Sequence, residues 1–156
     1  MKSKVKLSLY SRIITCVLVL ILVAAVVTTW GNEDKFLLSV ILFIGLLFAG
    51  LFYSPVSIEA SESVLVIHRV LKSKAIPYSD ISSVDRCIPS AGGLRLCGSG
   101  GFMGYWGYFS DIIIGSYFGY YGDMDRCILV KLKDGKQYVI SCCEPDEMVS
   151  TVNSRL

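Results

Sequence analysis

The chain has 156 residues, 53% of them hydrophobic, and a formal net charge of +2; its mean hydropathy is +0.59. That average is too apolar for an ordinary soluble domain, so part of the chain is expected in lipid. The charge is uneven: residues 1–12 carry Lys2, Lys4, Lys6 and Arg12 and no acid, whereas residues 54–156 hold ten basic and eleven acidic side chains, which leaves no basic domain to neutralise phosphates and excludes nucleic acid as a partner.

In chain order, the basic segment 1–12 precedes two apolar runs. Residues 13–30 (IITCVLVLILVAAVVTTW) are uncharged and apolar apart from Thr15, Thr28 and Thr29, and residues 36–53 (FLLSVILFIGLLFAGLFY) repeat the pattern. As helices each extends roughly 27 Å, the thickness of a bilayer core, and both read as transmembrane. A signal peptide fits the first run less well, because it is longer than a usual h-region and Ala24-Ala25 is followed by valines. The loop 31–35 holds one lysine beside Glu33 and Asp34, so the excess of basic residues before residue 13 predicts both termini in the cytoplasm. Tyr10 and Tyr53 on one side, and Trp30 on the other, fall where interfacial rings are expected.

Residues 54–156 suffice for one domain with its own core. β-rich runs at 56–60, 64–70, 73–76, 84–88, 111–117, 128–133 and 137–142 predict about seven strands. Asp134-Gly135 between the last two is a strong hairpin signal, and Ile128, Val130 and Leu132 alternate with Lys131 and Lys133 as a buried face against a wet one. Pro145 followed by Asp146 and Glu147 starts a helix running to about Arg155, with Met148, Val149, Val152 and Leu156 on one stripe. Cys87, Cys97, Cys127, Cys142 and Cys143 fall in a domain expected to face a reducing compartment, where no disulfide framework is expected; of Cys142-Cys143 one thiol is expected buried and one exposed.

Three landmarks carry a family likeness: Ile76-Pro77-Tyr78-Ser79-Asp80-Ile81; the glycine-aromatic block from Gly98-Ser99-Gly100-Gly101 to Gly107-Tyr108-Phe109; and Asp134-Gly135-Lys136-Gln137-Tyr138-Val139-Ile140-Ser141 followed by Pro145. In this order they resemble the bacterial pleckstrin-homology-like (PH-like) domain family over most of residues 56–153. The resemblance implies two roughly orthogonal sheets capped by the C-terminal helix, often tethered to membrane spans. With the spans it implies a bacterial cytoplasmic (inner) membrane protein: a transmembrane hairpin followed by a mainly-β domain at 54–156. It implies little about activity. Eukaryotic relatives that hold phosphoinositides cluster Lys and Arg around the first β-hairpin loop; here that loop, Glu59-Ala60-Ser61-Glu62-Ser63, is acidic, which disfavours inositol phosphates.

The block CGSGGFMGYWGYF, residues 97–109, is the main candidate site. It is not a dinucleotide fingerprint, because Met103 stands at the last glycine position and the flanks read as strands. Gly135-Lys136 fails as a P-loop for want of a hydroxyl at 137 and an upstream glycine. Two readings stand. Glycines 98, 100, 101, 104 and 107 permit positive φ or close backbone approach in coiled strands. Alternatively Phe102, Met103, Tyr105, Trp106, Tyr108 and Phe109 project towards the headgroups or a second copy, since only Ser54-Pro55 separates the second span from the first strand. Arg69, Lys72 and Lys74, beside His68, form a second candidate contact with anionic lipid or a wet hairpin face.

No familiar zinc spacing occurs, His68 reads as a surface strand histidine, and Asp123-Met124-Asp125 does not continue as a calcium loop. No cofactor is expected. Gly45, Ala49 and Gly50 leave room for close helix approach. The functional expectation is a non-enzymatic membrane-anchored module for protein contact, self-assembly or lipid-surface sensing. The alternatives are a thiol- or histidine-dependent enzyme or redox sensor, or an accessory subunit of a transport or envelope complex; neither span carries a charge to mark a transport path.

Overall fold

After a short strand β1 (Lys2–Lys4), two helices follow, α1 (Leu9–Thr28) and α2 (Glu33–Tyr53). The structure is a computed structural model and describes residues 1–90 and 93–156. α1 begins earlier than the run of apolar residues, because Ser8 caps it by accepting the Ser11 N–H at 3.2 Å. Arg12, whose charge set the expected boundary, sits inside the first turns and donates from Nε to the Leu7 carbonyl at 3.1 Å. Asn32 caps α2, and Glu33 and Asp34 complement its positive end. Both helices are long and apolar enough to cross a membrane, and little of either is buried.

Residues 1–12 are not a separate arm. β1 pairs antiparallel with β2 (Pro55–Ala60) in the register Lys2 to Glu59 and Lys4 to Ser57. Ser3 is buried there and accepts the Cys143 N–H at 3.1 Å. Residues before α1 and after α2 thus share one sheet, so both ends of the helical hairpin emerge on the same side.

β3 (Val64–Arg69) and β4 (Lys74–Pro77) complete a sheet of order β1-β2-β3-β4. A 3-10 turn at Tyr78–Asp80 leads into a six-stranded sheet: β5 (Ile81–Cys87), β6 (Leu94–Gly101), β7 (Gly104–Asp111), β8 (Gly115–Tyr121), β9 (Cys127–Leu132) and β10 (Gln137–Ser141). Its order is β5-β9-β10-β8-β7-β6, with the β10–β8 pair parallel. α3 (Pro145–Asn153) closes the fold, with proline in its first turn as expected.

Among the described residues there are ten strands, against about seven expected; β1, β6 and β7 are the additions. Residues 111–117, expected as a strand, instead contain the β7–β8 turn. Asp111 Oδ1 accepts the N–H groups of Ile113 at 2.8 Å and Ile114 at 3.2 Å, and Gly115 takes φ 84°. Its other oxygen accepts from Ser90 N at 2.7 Å and Ser90 Oγ at 2.6 Å, tying the β5–β6 connection to the turn. Burial works to raise this carboxyl, but the bonds from the Ser90 hydroxyl and the backbone of Ile113, Ser90 and Ile114 outweigh it and hold it at about 2. Asp111→Ala is expected to cost about 2–3 kcal/mol in denaturant unfolding of the full chain at neutral pH. Because the folded value lies below the unfolded one near 3.9, this stability is complete above about pH 5 and is lost progressively as pH falls through about 2, so the gap between variant and wild type narrows across that range.

The main core lies between the sheets and α3, where Ile58, Leu65, Ile67, Ile128, Val130, Ile140, Met148 and Val152 are fully buried. Leu156, expected on the helix stripe, lies beyond α3 and is half-exposed. A second cluster, Tyr105, Phe109, Tyr117, Tyr121, Cys127, Leu129 and Val139, covers the other face of the six-stranded sheet. The β9–β10 hairpin therefore buries Leu129 and Val139 on the face expected to be wet, because the rings of β7 and β8 lie over them.

Candidate functional site

The glycine-aromatic block folds into the β6–β7 hairpin, paired from Leu94–Ser110 to Gly101–Gly104. Its two-residue tip, Phe102-Met103, enters the fork between the domain-side ends of α1 and α2. Three helix-end hydroxyls satisfy the tip's backbone. Ser11 Oγ donates to the Gly101 carbonyl at 2.6 Å and accepts the Gly104 N–H at 3.0 Å. Thr15 Oγ1 accepts the Met103 N–H at 2.8 Å, and Ser54 Oγ donates to the Met103 carbonyl at 2.7 Å.

The turn needs positive φ at Gly101 (139°), Met103 (52°) and Gly104 (102°). A left-handed methionine is costly and is held by its surroundings. A Cβ on Gly50 of α2 would stand 2.6 Å from Met103 Sδ and 2.8 Å from Phe102 Cε1, so Gly50 makes room for the tip. Gly45 has open space around its Cα. Trp106 stacks on Tyr53 at 5.2 Å, and both its indole Nε1 and the Ser99 hydroxyl donate to the Phe102 carbonyl at 3.0 Å.

Four of the candidate rings, Phe102, Tyr105, Trp106 and Phe109, are buried, Met103 is half-buried, and only Tyr108 is exposed, edge-on to Phe118 at 4.8 Å. Phe102, Met103 and Trp106 meet the helix ends, whereas Tyr105 and Phe109 enter the second core. Further along, Gly98 and Gly107 pair directly with φ 127° and 121°. The Cβ of either would stand 2.7 Å from the other's Cα. The block thus joins the β domain to the helices, an arrangement hidden from sequence because Ser11, Thr15 and Ser54 lie far from it along the chain. Hydroxyls at the ends of apolar runs were the available signal.

The basic candidates lie on another side of the same junction. Pro55 pairs with Arg69, which puts the β3–β4 turn at the end of α2. The Arg69 guanidinium lies 5.5 Å from the Phe52 ring and 5.4 Å from the Tyr120 ring, and its Nε donates to the Lys72 carbonyl at 2.9 Å. Lys74 Nζ donates to the Tyr138 hydroxyl at 2.7 Å. Lys72 is exposed beside half-exposed Val70 and Leu71.

His68 Nε2 meets Glu59 Oε2 at 2.9 Å and its Nδ1 meets Ser73 Oγ at 3.1 Å. The His68 bond holds the Glu59 carboxyl below its ordinary range. The set has the connectivity of a serine-histidine-acid relay, but none of the three lines the cavity beside Lys74 and Tyr138, the one beside Tyr105 and Tyr121 or the one beside Lys133 and Asp134. No cluster of metal-ligating side chains occurs among the described residues. Burial pushes the Cys87 thiol up to about 12 and Cys142 to about 11, and raises Cys127 well above the usual range. Cys142 is buried and Cys143 half-buried.

Two sheets closed by a C-terminal helix, docked on a pair of long apolar helices, define the class: a PH-like domain following a helical hairpin. The model of the bacterial PH domain family matches residues 56–156, and the chain belongs to that family. Neither the curated proteins nor the solved structures gave a match. Membership points to a protein-interaction module and assigns no reaction.

Proposed function

We propose that the chain is a non-enzymatic, membrane-anchored interaction module: α1 and α2 cross the bacterial cytoplasmic membrane with both chain ends in the cytoplasm, and the PH-like domain is held there for contact with another protein or copy. The observation that carries the reading is the apolar end of the domain far from the helices. Ile112 and Ile113, at the β7–β8 turn, are 98% and 85% exposed, and Leu94 and Leu96 are exposed on β6, the free edge of the six-stranded sheet. A free, apolar strand edge is a template for strand addition by a partner. The junction supports the same reading, since it gives this surface a set distance from the bilayer. The basic residues before α1 support the cytoplasmic side.

The test is a photoreactive amino acid at Ile113, and separately at Leu96, in the full chain within native membranes. Protein adducts of defined mass are expected from both positions. Lipid adducts alone, or none, at both positions would overturn the reading.

A further inference from the structure

Beside the junction, on the face of the six-stranded sheet that carries the second core, lies a trough of about 620 Å³. Its long wall is aromatic: Tyr105 and Tyr121 stack at 4.9 Å, and Phe109 and Tyr117 at 5.6 Å. Tyr10, in the first turn of α1, forms its rim at the helix end, and Ser90 and Gly93 line the opposite end.

The trough also holds one cation. β6 carries a register shift between Arg95 and Cys97. The Arg95 side chain runs along the strand so that its Nη1 stands 2.8 Å from where a Cβ of Gly100 would be. Gly100 precedes Gly101, whose carbonyl is bonded to Ser11 in the first turn of α1. The guanidinium is thus delivered close to the level at which α1 begins. Among the described residues it has no ion-pair or hydrogen-bond partner.

The acids nearby are otherwise engaged. Both oxygens of Asp111, at the far end, accept from Ser90, Ile113 and Ile114, and Asp123 faces Arg126 at 3.7 Å. An anion is therefore drawn to the helix end of the trough, where Arg95 stands, and repelled from the Asp111 end.

We propose that this trough binds the headgroup of an anionic phospholipid from the surrounding leaflet, its phosphate on Arg95 and its polar body against the tyrosine wall, with the acyl chains left in the bilayer beside Tyr10. A guanidinium offers a forked pair of donors to phosphate, and tyrosine suits the boundary between apolar and wet surroundings. The site is distinct from the acidic loop after β2. Extraction of a chain from the bilayer is unnecessary, because the opening adjoins the helix. The proposal rests on α1 and α2 spanning the membrane and not on any protein partner.

The experiment uses the full chain reconstituted in nanodiscs containing equal amounts of phosphatidylglycerol and phosphatidylcholine, followed by release and counting of retained lipids by native mass spectrometry. Wild type is expected to retain phosphatidylglycerol at about fivefold or more over phosphatidylcholine. Arg95→Gln, at an exposed position, should bring the ratio to that of the bilayer with unchanged thermal unfolding, whereas Arg69→Gln should keep the enrichment. The proposal is overturned by a wild type that mirrors the bilayer, by enrichment surviving in Arg95→Gln, or by equal loss in Arg69→Gln, which would mark general attraction of basic residues to an anionic surface. Crosslinking from Ile113 reads a different face, so its result fails or succeeds separately. Incorporation of the chain into nanodiscs reports the membrane reading itself.

Discussion

Gly107→Ala is expected to destabilise the full chain by roughly 3–5 kcal/mol, the sum of left-handed strain and a clash that neither strand can relieve. At φ 121° its Cβ would meet the Cys97 carbonyl and stand 2.7 Å from the Gly98 Cα, both backbone atoms of the paired strand. Gly98→Ala should behave alike, since its Cβ meets the Trp106 carbonyl and the Gly107 Cα in turn. Gly135→Ala separates the two contributions: φ is also positive, at 84°, but nothing lies within 4 Å, so only strain of about 1–2 kcal/mol remains. Denaturant unfolding of the three variants in one detergent would check this. A Gly107→Ala loss no larger than that of Gly135→Ala would show that the β6–β7 strands do not approach as described.

Ser11→Ala is expected to loosen the junction while leaving the main core intact. Ser11 is fully buried, and its hydroxyl is both donor to Gly101 and acceptor from Gly104. Its loss leaves a backbone N–H without its partner and a carbonyl with only the longer 3.4 Å contact from Thr15. Each unsatisfied buried group costs about 1–3 kcal/mol, so a total of roughly 2–5 kcal/mol is expected. Hydrogen exchange at the Gly104 amide should accelerate about 30-fold or more, the equivalent of about 2 kcal/mol. Amides of β9 and β10 should keep their wild-type protection. Unchanged exchange at Gly104 would show that the hydroxyl does not hold the tip.

The sequence discloses the elements whose determinants are local. Two uncharged apolar runs mark the helices; Asp134-Gly135 fixes the β9–β10 hairpin, where Gly135 takes its positive φ; and Pro145 with two acids starts α3. The junction is opaque because each of its contacts joins residues far apart in the chain, with Ser11 and Gly104 separated by 93 positions. The block's glycines announce special backbone needs but not that Gly98 and Gly107 face each other, or that Gly101 and Gly104 flank a turn seated on α1. Lys-Ser-Lys has no apolar alternation, so β1 leaves no trace; its one buried side chain is a serine. The second core is masked for the same reason that a hairpin seems half wet: Leu129 and Val139 are covered by rings from β7 and β8, and no local pattern states that cover.

The β1–β2 pairing has a consequence for how the chain assembles and moves. β1 precedes both helices and its partner strand follows them, so the four-stranded sheet closes only when the intervening chain has returned to its starting side. Closing a loop of that length is entropically costly in a free chain, and the antiparallel helices reduce that cost by bringing residues 4 and 55 together in advance. Once closed, the pairing works as a buckle across the mouth of the hairpin. It ties the entry of α1 to the exit of α2, so a displacement of either helix at its domain-side end pulls on the four-stranded sheet.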